Sequence, residues 1–369
     1  MTHFKFLKII LVGLFVGAGL GGINPGYAAS SPAPTSPGEA AAFKDLLDIP
    51  AQASPLPAKA LFNGIARAGK RLVAVGQRGL IVYSDDQGGH WTQASVPVSV
   101  DLTAVSFPSP GHGWAVGHEG VVLSSTDGGT TWQTQLDGNS AANVITTYYA
   151  VHPLAEPDAA RLEHDIKLTV HSAPDLPLLD VWFENETNGF IVGAFNLIFH
   201  TTDGGRNWVP WFDRTDNPRS LHFYGIRQIG EDLYICGEQG MVLKFNRETG
   251  RFVALAAPYH GTFFGLTGKP GVLIAYGMRG NICRSTDAGK TWQQIASKVP
   301  LGLVGGTVMA DGRIVLVNQA GQFLVSTDNG VNFVPGKMGR PFPAASVVPL
   351  DQNTLVTTGF KGILKQALN

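Results

Sequence analysis

The sequence predicts an all-β chain, a seven-bladed β-propeller of four-stranded antiparallel blades closed by an N-terminal strand. Three observations carry that expectation. A glycine-centred phrase recurs seven times: VAVGQRG (73–79), WAVGHEG (114–120), FIVGAFN (190–196), YICGEQG (234–240), IAYGMRG (274–280), VLVNQAG (315–321) and LVTTGFKG (355–362). Its central position falls at Gly76, Gly117, Gly193, Gly237, Gly277, Asn318 and Gly359, at intervals of 41, 76, 44, 40, 41 and 41. Five copies are followed by a polar turn ending in an aromatic, of which STDGGTTW (125–132) is one. Finally, 46 Gly and 23 Pro accompany 44 % apolar and only 15 % charged residues, a composition of many turns between short apolar runs.

The chain opens with Lys5 and Lys8, an apolar run over Ile9–Leu20, and small residues Gly26 and Ala28 before a cleavage point. This is the pattern of a secretory signal peptide over 1–28, since the apolar run is shorter than the ~20 residues of a spanning helix. Residues 29–43 read as a flexible lead-in. Without residues 1–28 the net charge is −3, which gives no basic footprint for nucleic acid. Export to the periplasm is expected, with no membrane span remaining after cleavage.

From about residue 44 the repeats follow one grammar. An apolar run precedes the glycine phrase, a second apolar run follows it, and the polar turn leads to a short run opened by Trp or Phe. Four-to-seven-residue runs of Val, Ile, Leu and aromatics between glycines read as strands, and four strands per ~40 residues is the period of a propeller blade. Helical repeats of this length need helical periodicity, which the frequent glycines deny. The last repeat supplies only three strands, so Lys44–Ala53 is expected to add its outer strand and cover the open sheet edge. The single long interval holds an insertion at about 137–177 between blades 2 and 3. Within it SAANVITTYYAV (140–151) and DAARLEHDIKLTVH (158–171) read as two short helices, with Leu162, Ile166 and Val170 on one face.

The polar turns are SDDQGGHW (84–91), STDGGTTW (125–132), TTDGGRNW (201–208), STDAGKTW (285–292) and STDNGVNF (326–333), with a degenerate KFNRETGRF (244–252) in the fourth repeat. Asp and Ser side chains bond backbone N–H groups two residues on, and Gly takes positive φ freely. Asp86, Asp127, Asp203, Asp287 and Asp328 therefore read as turn locks, and Trp91, Trp132, Trp208, Trp292 and Phe333 as the aromatics packed beneath each hairpin. Five equivalent carboxylates around a ring cannot converge on one substrate, and one Asp with one Ser is too few oxygens for calcium.

The pattern S/T-x-D-x-G-x-T/N-W resembles the Asp-box, or BNR-type, repeat. Together with GWAVGHEG (113–120) and the 41-residue spacing, it makes the chain similar to the photosystem II stability/assembly factor-like family over about residues 44–369, apart from the insertion. The resemblance implies an exported seven-bladed propeller that helps to build or stabilise a membrane-protein complex. Bacterial relatives occur outside photosynthesis, some of them linked to resistance-nodulation-division-type exporters. The insertion and PLLDVWF (177–183) favour that branch.

The turns between second and third strands converge near the propeller axis, on the face opposite the Asp-boxes, and differ from repeat to repeat. Loops on a rigid frame are where binding usually sits. Arg78, His118, Glu119, Phe195, Glu238, Gln239, Arg279, Phe360 and Lys361 are the candidate partner-binding residues, a mixture typical of protein interfaces. A protein partner, a monomeric chain, no cofactor, no metal and no catalytic residue are expected. His152, His164 and His171 invite a metal reading, but His164 and His171 lie two helical turns apart. The competing function is a sialidase-like glycoside hydrolase at the propeller axis. It needs an arginine cluster and a Tyr–Glu pair; Tyr148, Tyr149 and Tyr276 have no neighbouring Glu in the sequence. Cys236 and Cys283 each sit in a strand-like apolar run and read as small buried residues; a disulfide between them is the other reading open to an exported chain.

Overall fold

A computed structural model describes residues 44–155, 157–336 and 342–368; the expected leader and lead-in (1–43) lie outside them. The strands form seven antiparallel sheets. Blade 1 holds β1 (Phe62–Ala68), β2 (Arg71–Gly76), β3 (Ile81–Ser84) and β4 (Thr92–Gln93). Blade 2 holds β5 (Leu102–Ser106), β6 (Gly113–Gly117), β7 (Val122–Ser125) and β8 (Gln133–Leu136). The insertion follows as α1 (Gly138–Val151) and α2 (Ala159–Ser172). Blade 3 is β9 (Leu178–Phe183), β10 (Gly189–Gly193), β11 (Ile198–Thr201) and β12 (Val209–Pro210). Blade 4 is β13 (Phe223–Ile229), β14 (Asp232–Gly237), β15 (Val242–Asn246) and β16 (Arg251–Leu255). Blade 5 is β17 (Phe263–Lys269), β18 (Val272–Gly277), β19 (Ile282–Ser285) and β20 (Gln293–Ile295). Blade 6 is β21 (Leu303–Val308), β22 (Ile314–Asn318), β23 (Phe323–Ser326) and β24 (Val334–Pro335). Blade 7 has only β25 (Ala344–Pro349), β26 (Thr354–Gly359) and β27 (Gly362–Ala367).

Each sheet is a meander whose first strand is innermost and packs on the first strands of both neighbours, β25 meeting β1. Apolar side chains from adjacent blades interleave in clusters between every successive pair. Val73, Val75 and Ile81 of blade 1 meet Ala115 and Leu123 of blade 2, and Val356 of blade 7 meets Phe62 and Val82 of blade 1. Both faces of each sheet are thereby covered. This is why second strands such as β6 and β18 are continuous apolar runs, buried from end to end, instead of alternating with polar residues.

The glycine phrase has a steric cause. Each first strand pairs with the second through a one-residue register slip, as between Phe263 and Gly265 opposite Gly277 and Tyr276. The slip presses the carbonyl before the strand onto the last residue of the second strand. A Cβ on Gly277 would lie 2.1 Å from Thr262 O. The sixth repeat carries Asn318 there, and its Oδ1 accepts from the N–H groups of Ala320 and Gln322, both at 3.0 Å.

The Asp-box turns repeat one hydrogen-bond pattern. In blade 2, Ser125 Oγ donates to Asp127 Oδ1 (2.8 Å) and accepts from Gly129 N (2.8 Å), while Asp127 Oδ1 accepts from Thr131 N (3.0 Å). The same contacts recur around Asp86, Asp203, Asp287 and Asp328. Trp132, Trp208 and Phe333 are buried under their hairpins, and Trp91 and Trp292 are partly buried. In the degenerate fourth repeat Asn246 Oδ1 takes over, accepting from Glu248 N and Thr249 N.

These locks predict acid sensitivity. Hydrogen bonds from Thr291 hold Asp287, and those from Asn332 hold Asp328, at about 2. Asp86 is lowered by His90. Burial raises Asp127 and Asp203, but their N–H and hydroxyl donors outweigh it and both end below the ordinary value. A carboxylate with a lowered folded-state pKa lends its full stability above the unfolded value of about 3.9 and loses it as pH falls through the folded one. Melting temperature by circular dichroism is expected to drop between about pH 4 and 2. Asp127→Asn, Asp287→Asn and Asp328→Asn combined should flatten that drop; an equally steep drop in the triple variant would refute the assignment.

Two expectations are corrected or sharpened. Lys44–Ala53 does not complete blade 7: it forms no strand, and blade 7 stays three-stranded among the described residues. The segment instead joins the blade 1–2 connection, where Ala51 N donates to Val96 O (3.0 Å) and Ser99 N to Leu46 O (2.8 Å). Leu47 and Ala51 pack on the blade 1–2 cluster, and Pro50 lacks the N–H of a ladder. The insertion is a docked helical pair. Ile145, Leu162 and Ile166 are buried, Val170 is partly buried, and Asp137 caps α1 by accepting from Ser140 N. Cys236 and Cys283 are free and fully buried.

Candidate binding face

Each turn between second and third strands is bonded to the connection that enters its own first strand. Gln77 N donates to Leu61 O, His118 N to Asp101 O, Ala194 N to Pro177 O, and Glu238 N to His222 O. Met278 N, Gln319 N and Phe360 N donate to Thr262 O, Gly302 O and Pro343 O. In four repeats the third turn residue also ties to the next inter-blade connection, as Gly79 N does to Val100 O (2.6 Å) and Gly240 N to Gly261 O (2.7 Å).

Between these anchors the middle residue is forced outward in the left-handed region: Arg78 (φ 53°), Glu119 (57°), Phe195 (52°), Gln239 (53°) and Arg279 (56°). A non-glycine residue there costs about 1–2 kcal/mol, and five equivalent instances place that strain on one ring of turns. The sequence-selected Arg78, His118, Phe195, Gln239, Arg279, Phe360 and Lys361 are exposed; Glu119 and Glu238 are half-buried.

The structure groups some of these residues. Arg78, His118 and Glu119 line one groove of about 800 Å³ with Leu46, Ile49 and Pro55 of the N-terminal segment. Burial, together with Asp45 and Asp175, raises the Glu119 carboxyl above its ordinary value. Phe195 packs edge-on to His222 (4.3 Å), whose ring lies 3.6 Å from Glu238, and Gln239 accepts from Arg219. No hydrogen bond or ion pair joins Arg279, Phe360 and Lys361 to these groups among the described residues.

Sequence reasoning missed the inter-blade connections. Asp101 accepts from the Arg78 N–H (2.7 Å), and Glu238 accepts from His222 N (2.9 Å). The available signal was position: both Asp101 and His222 stand just before a first strand. The helical pair docks on blade 3 and the connection after it, with Tyr149 Oη donating to Asp213 (2.7 Å) and Ser220 Oγ to Asp165 (2.9 Å). Its histidines stay apart: His152 stacks on Tyr148, and His164 and His171 are exposed on α2.

The axis is a separate compartment. A cavity of about 540 Å³ is lined by the first strands of all seven blades. One side carries an ion pair between the buried Asp180 of β9 and the half-exposed Arg227 of β13. Asp180 Oδ2 also accepts from Ile226 N (2.8 Å), while burial pushes its carboxyl up against the pull of Arg227. Arg67 is held by Pro349 O and Leu350 O at the blade 7–1 junction.

Sheets locked by Asp-box turns, radiating from an axial cavity and presenting strained turns on one face, define an Asp-box β-propeller. The chain belongs to the family described as "Photosynthesis system II assembly factor YCF48", whose model matches residues 83–149 and 161–335. It is 23 % identical over 245 residues to the "Photosystem II assembly lipoprotein Ycf48" of Synechococcus sp. (strain CC9902), covering 65 % of this chain and 63 % of that protein. It is 22 % identical over 272 residues to "Photosystem II stability/assembly factor HCF136, chloroplastic" of Arabidopsis thaliana, covering 67 % and 60 %. The matches thus span about three fifths of these relatives. The solved structure "YCF48 bound to D1 peptide" superposes with TM-score 0.61 at 15 % identity, over 85 % of this chain and 95 % of that one, a likeness of fold. Among the described residues no helix is long and apolar enough to cross a membrane.

Proposed function

We propose that this chain is an exported, non-catalytic assembly factor that holds a segment of a membrane-protein complex against its turn face. The observation that carries the reading is the placement of exposed apolar side chains. Phe195 (52 % exposed), Met278 (40 %) and Phe360 (68 %) stand on the same ring of turns as Arg78 and Arg279. Leu301 (41 %) lies beside Gly302, and Leu46 (44 %) lines the adjoining groove. Aromatic, Met and Arg side chains gathered on one face match the composition of protein interfaces.

The family membership supports an assembly role, and a relative of the same fold is bound to a D1 peptide. In this reading the chain is a monomer, a closed seven-bladed ring delivered to the periplasm by the leader at 1–28. Its partner is a protein complex of the membrane, of the photosystem type or, in a non-photosynthetic cell, a resistance-nodulation-division-type exporter.

Crosslinking in the native compartment followed by mass spectrometry tests the proposal. Wild-type protein should capture one membrane-protein complex reproducibly. Arg78→Glu with Arg279→Glu should reduce capture about tenfold with an unchanged melting temperature, since both side chains are exposed. Recovery of soluble monomer alone, or undiminished capture by the double variant, would overturn it.

A further inference from the structure

The axial cavity is asymmetric, and the asymmetry is built from named residues. Tyr276 belongs to β18, a second strand, yet its ring passes inward between the first strands of blades 5 and 6. The passage exists because those strands carry glycine: a Cβ on Gly265 would lie 2.3 Å from the Tyr276 hydroxyl, and one on Gly306 would lie 2.6 Å from its ring. The residue is 95 % buried, lines the cavity, and its hydroxyl makes no hydrogen bond among the described residues. Gly225 of blade 4 opens the neighbouring position, where a Cβ would lie 3.7 Å from Asp180 Oδ2.

Arg227 lines the same cavity with half of its side-chain surface free. Only its Nη1 is engaged, donating to Asp180 Oδ2 and to Ile226 O. The Nε and Nη2 edge of the guanidinium donates to nothing among the described residues. That edge is a planar two-donor fork, the geometry that grips a carboxylate or phosphate oxygen pair. Asp180 fixes the fork's orientation from behind. A phenolic donor, a fixed guanidinium edge and a cavity of about 540 Å³ form a site of the size that encloses a small molecule.

We propose that the axial cavity binds a small oxyanion, a carboxylate or phosphate group, through the free edge of Arg227 and the Tyr276 hydroxyl. This site is separate from the turn face, so it stands or falls independently of the partner proposed there. Asp180 is a positioning residue that also lowers the affinity, because its charge partly cancels that of Arg227.

Calorimetric titration of the full chain with succinate and with inorganic phosphate tests this, the two arms showing which oxyanion the site takes. Saturable one-to-one binding of at least one is expected. Tyr276→Phe keeps the ring in its slot and should weaken binding about fivefold through loss of one hydrogen bond. Asp180→Asn removes the competing charge and should tighten it several-fold. Arg227→Gln alone would strand a buried carboxylate, so the Asp180→Asn/Arg227→Gln pair is the variant in which binding should vanish with the fold intact by circular dichroism. A merely structural ion pair moves stability in these variants and leaves no anion affinity to change. No saturable binding of either probe up to about 10 mM, where even a weak fork would register, overturns the proposal. So does undiminished binding by the folded double variant.

Discussion

Gly277→Ala is expected to unfold at a markedly lower denaturant concentration than the wild type, by about 3 kcal/mol. The added Cβ would sit 2.1 Å from Thr262 O and 2.7 Å from Phe263 Cα. Both are backbone atoms at the entry to the innermost strand, so no rotamer change relieves the overlap. That strand also packs against β13 and β21, and the displacement would reach two neighbouring blades. Gly111→Ala is the control. Its Cβ would meet only Thr126 O, at 3.8 Å. There the reduced freedom of the unfolded chain should leave stability unchanged or raise it by about 0.4–1 kcal/mol. Guanidinium unfolding followed by circular dichroism reads both; similar midpoints for the two variants would refute the close-approach account of the glycine phrase.

Trp132→Ala is expected to cost about 3–5 kcal/mol, the range for emptying a buried aromatic site. Trp132 is 4 % exposed, packs edge-on to Phe107 at 5.9 Å, and belongs to the cluster joining blades 1 and 2. Its backbone N–H also donates to Ser95 O, just past the last strand of blade 1, so the residue fastens its hairpin to the blade 1–2 connection (3.0 Å). A finer comparison separates packing from hydrogen bonding. Trp132 Nε1 donates to Gly129 O (3.0 Å), whereas Trp208 Nε1 is buried without a partner among the described residues. Trp132→Phe should therefore cost about 1 kcal/mol more than Trp208→Phe. Equal losses would show that the indole N–H of the Asp-box tryptophan contributes nothing.

The blades were legible because their determinants are local. The Ser–Asp–Gly turn closes within eight residues, and its hydrogen bonds run between positions two and four apart. The central glycine was legible as a repeated position, though its cause, the carbonyl at the entry to the first strand, was not. The fourth repeat shows the limit of the motif: Asn246 performs the turn with a different spacing, so pattern matching saw only degeneracy. The helices of the insertion followed from periodicity. Their docking did not, because Tyr149 meets Asp213 and Asp165 meets Ser220 across more than fifty residues.

The turn face proposed here for binding was half legible. The middle residues of the turns were found by alignment of the repeats, since each turn projects one variable side chain. The N-terminal segment was misplaced because a need for a fourth strand in blade 7 was inferred from counting. The chain answered a stronger local demand, the apolar surface between blades 1 and 2.

The axial site had no sequence signature at all. Asp180, Arg227 and Tyr276 come from three blades, each inside an ordinary strand run, and only the packing of first strands around one cavity brings them together. Repeat number, strand order, turn chemistry and the variable positions of the turns are written in residues a few places apart, where short-range sterics and hydrogen bonds act. Which residues from different repeats share a groove or a cavity depends on packing between blades, and only the tertiary structure decides it.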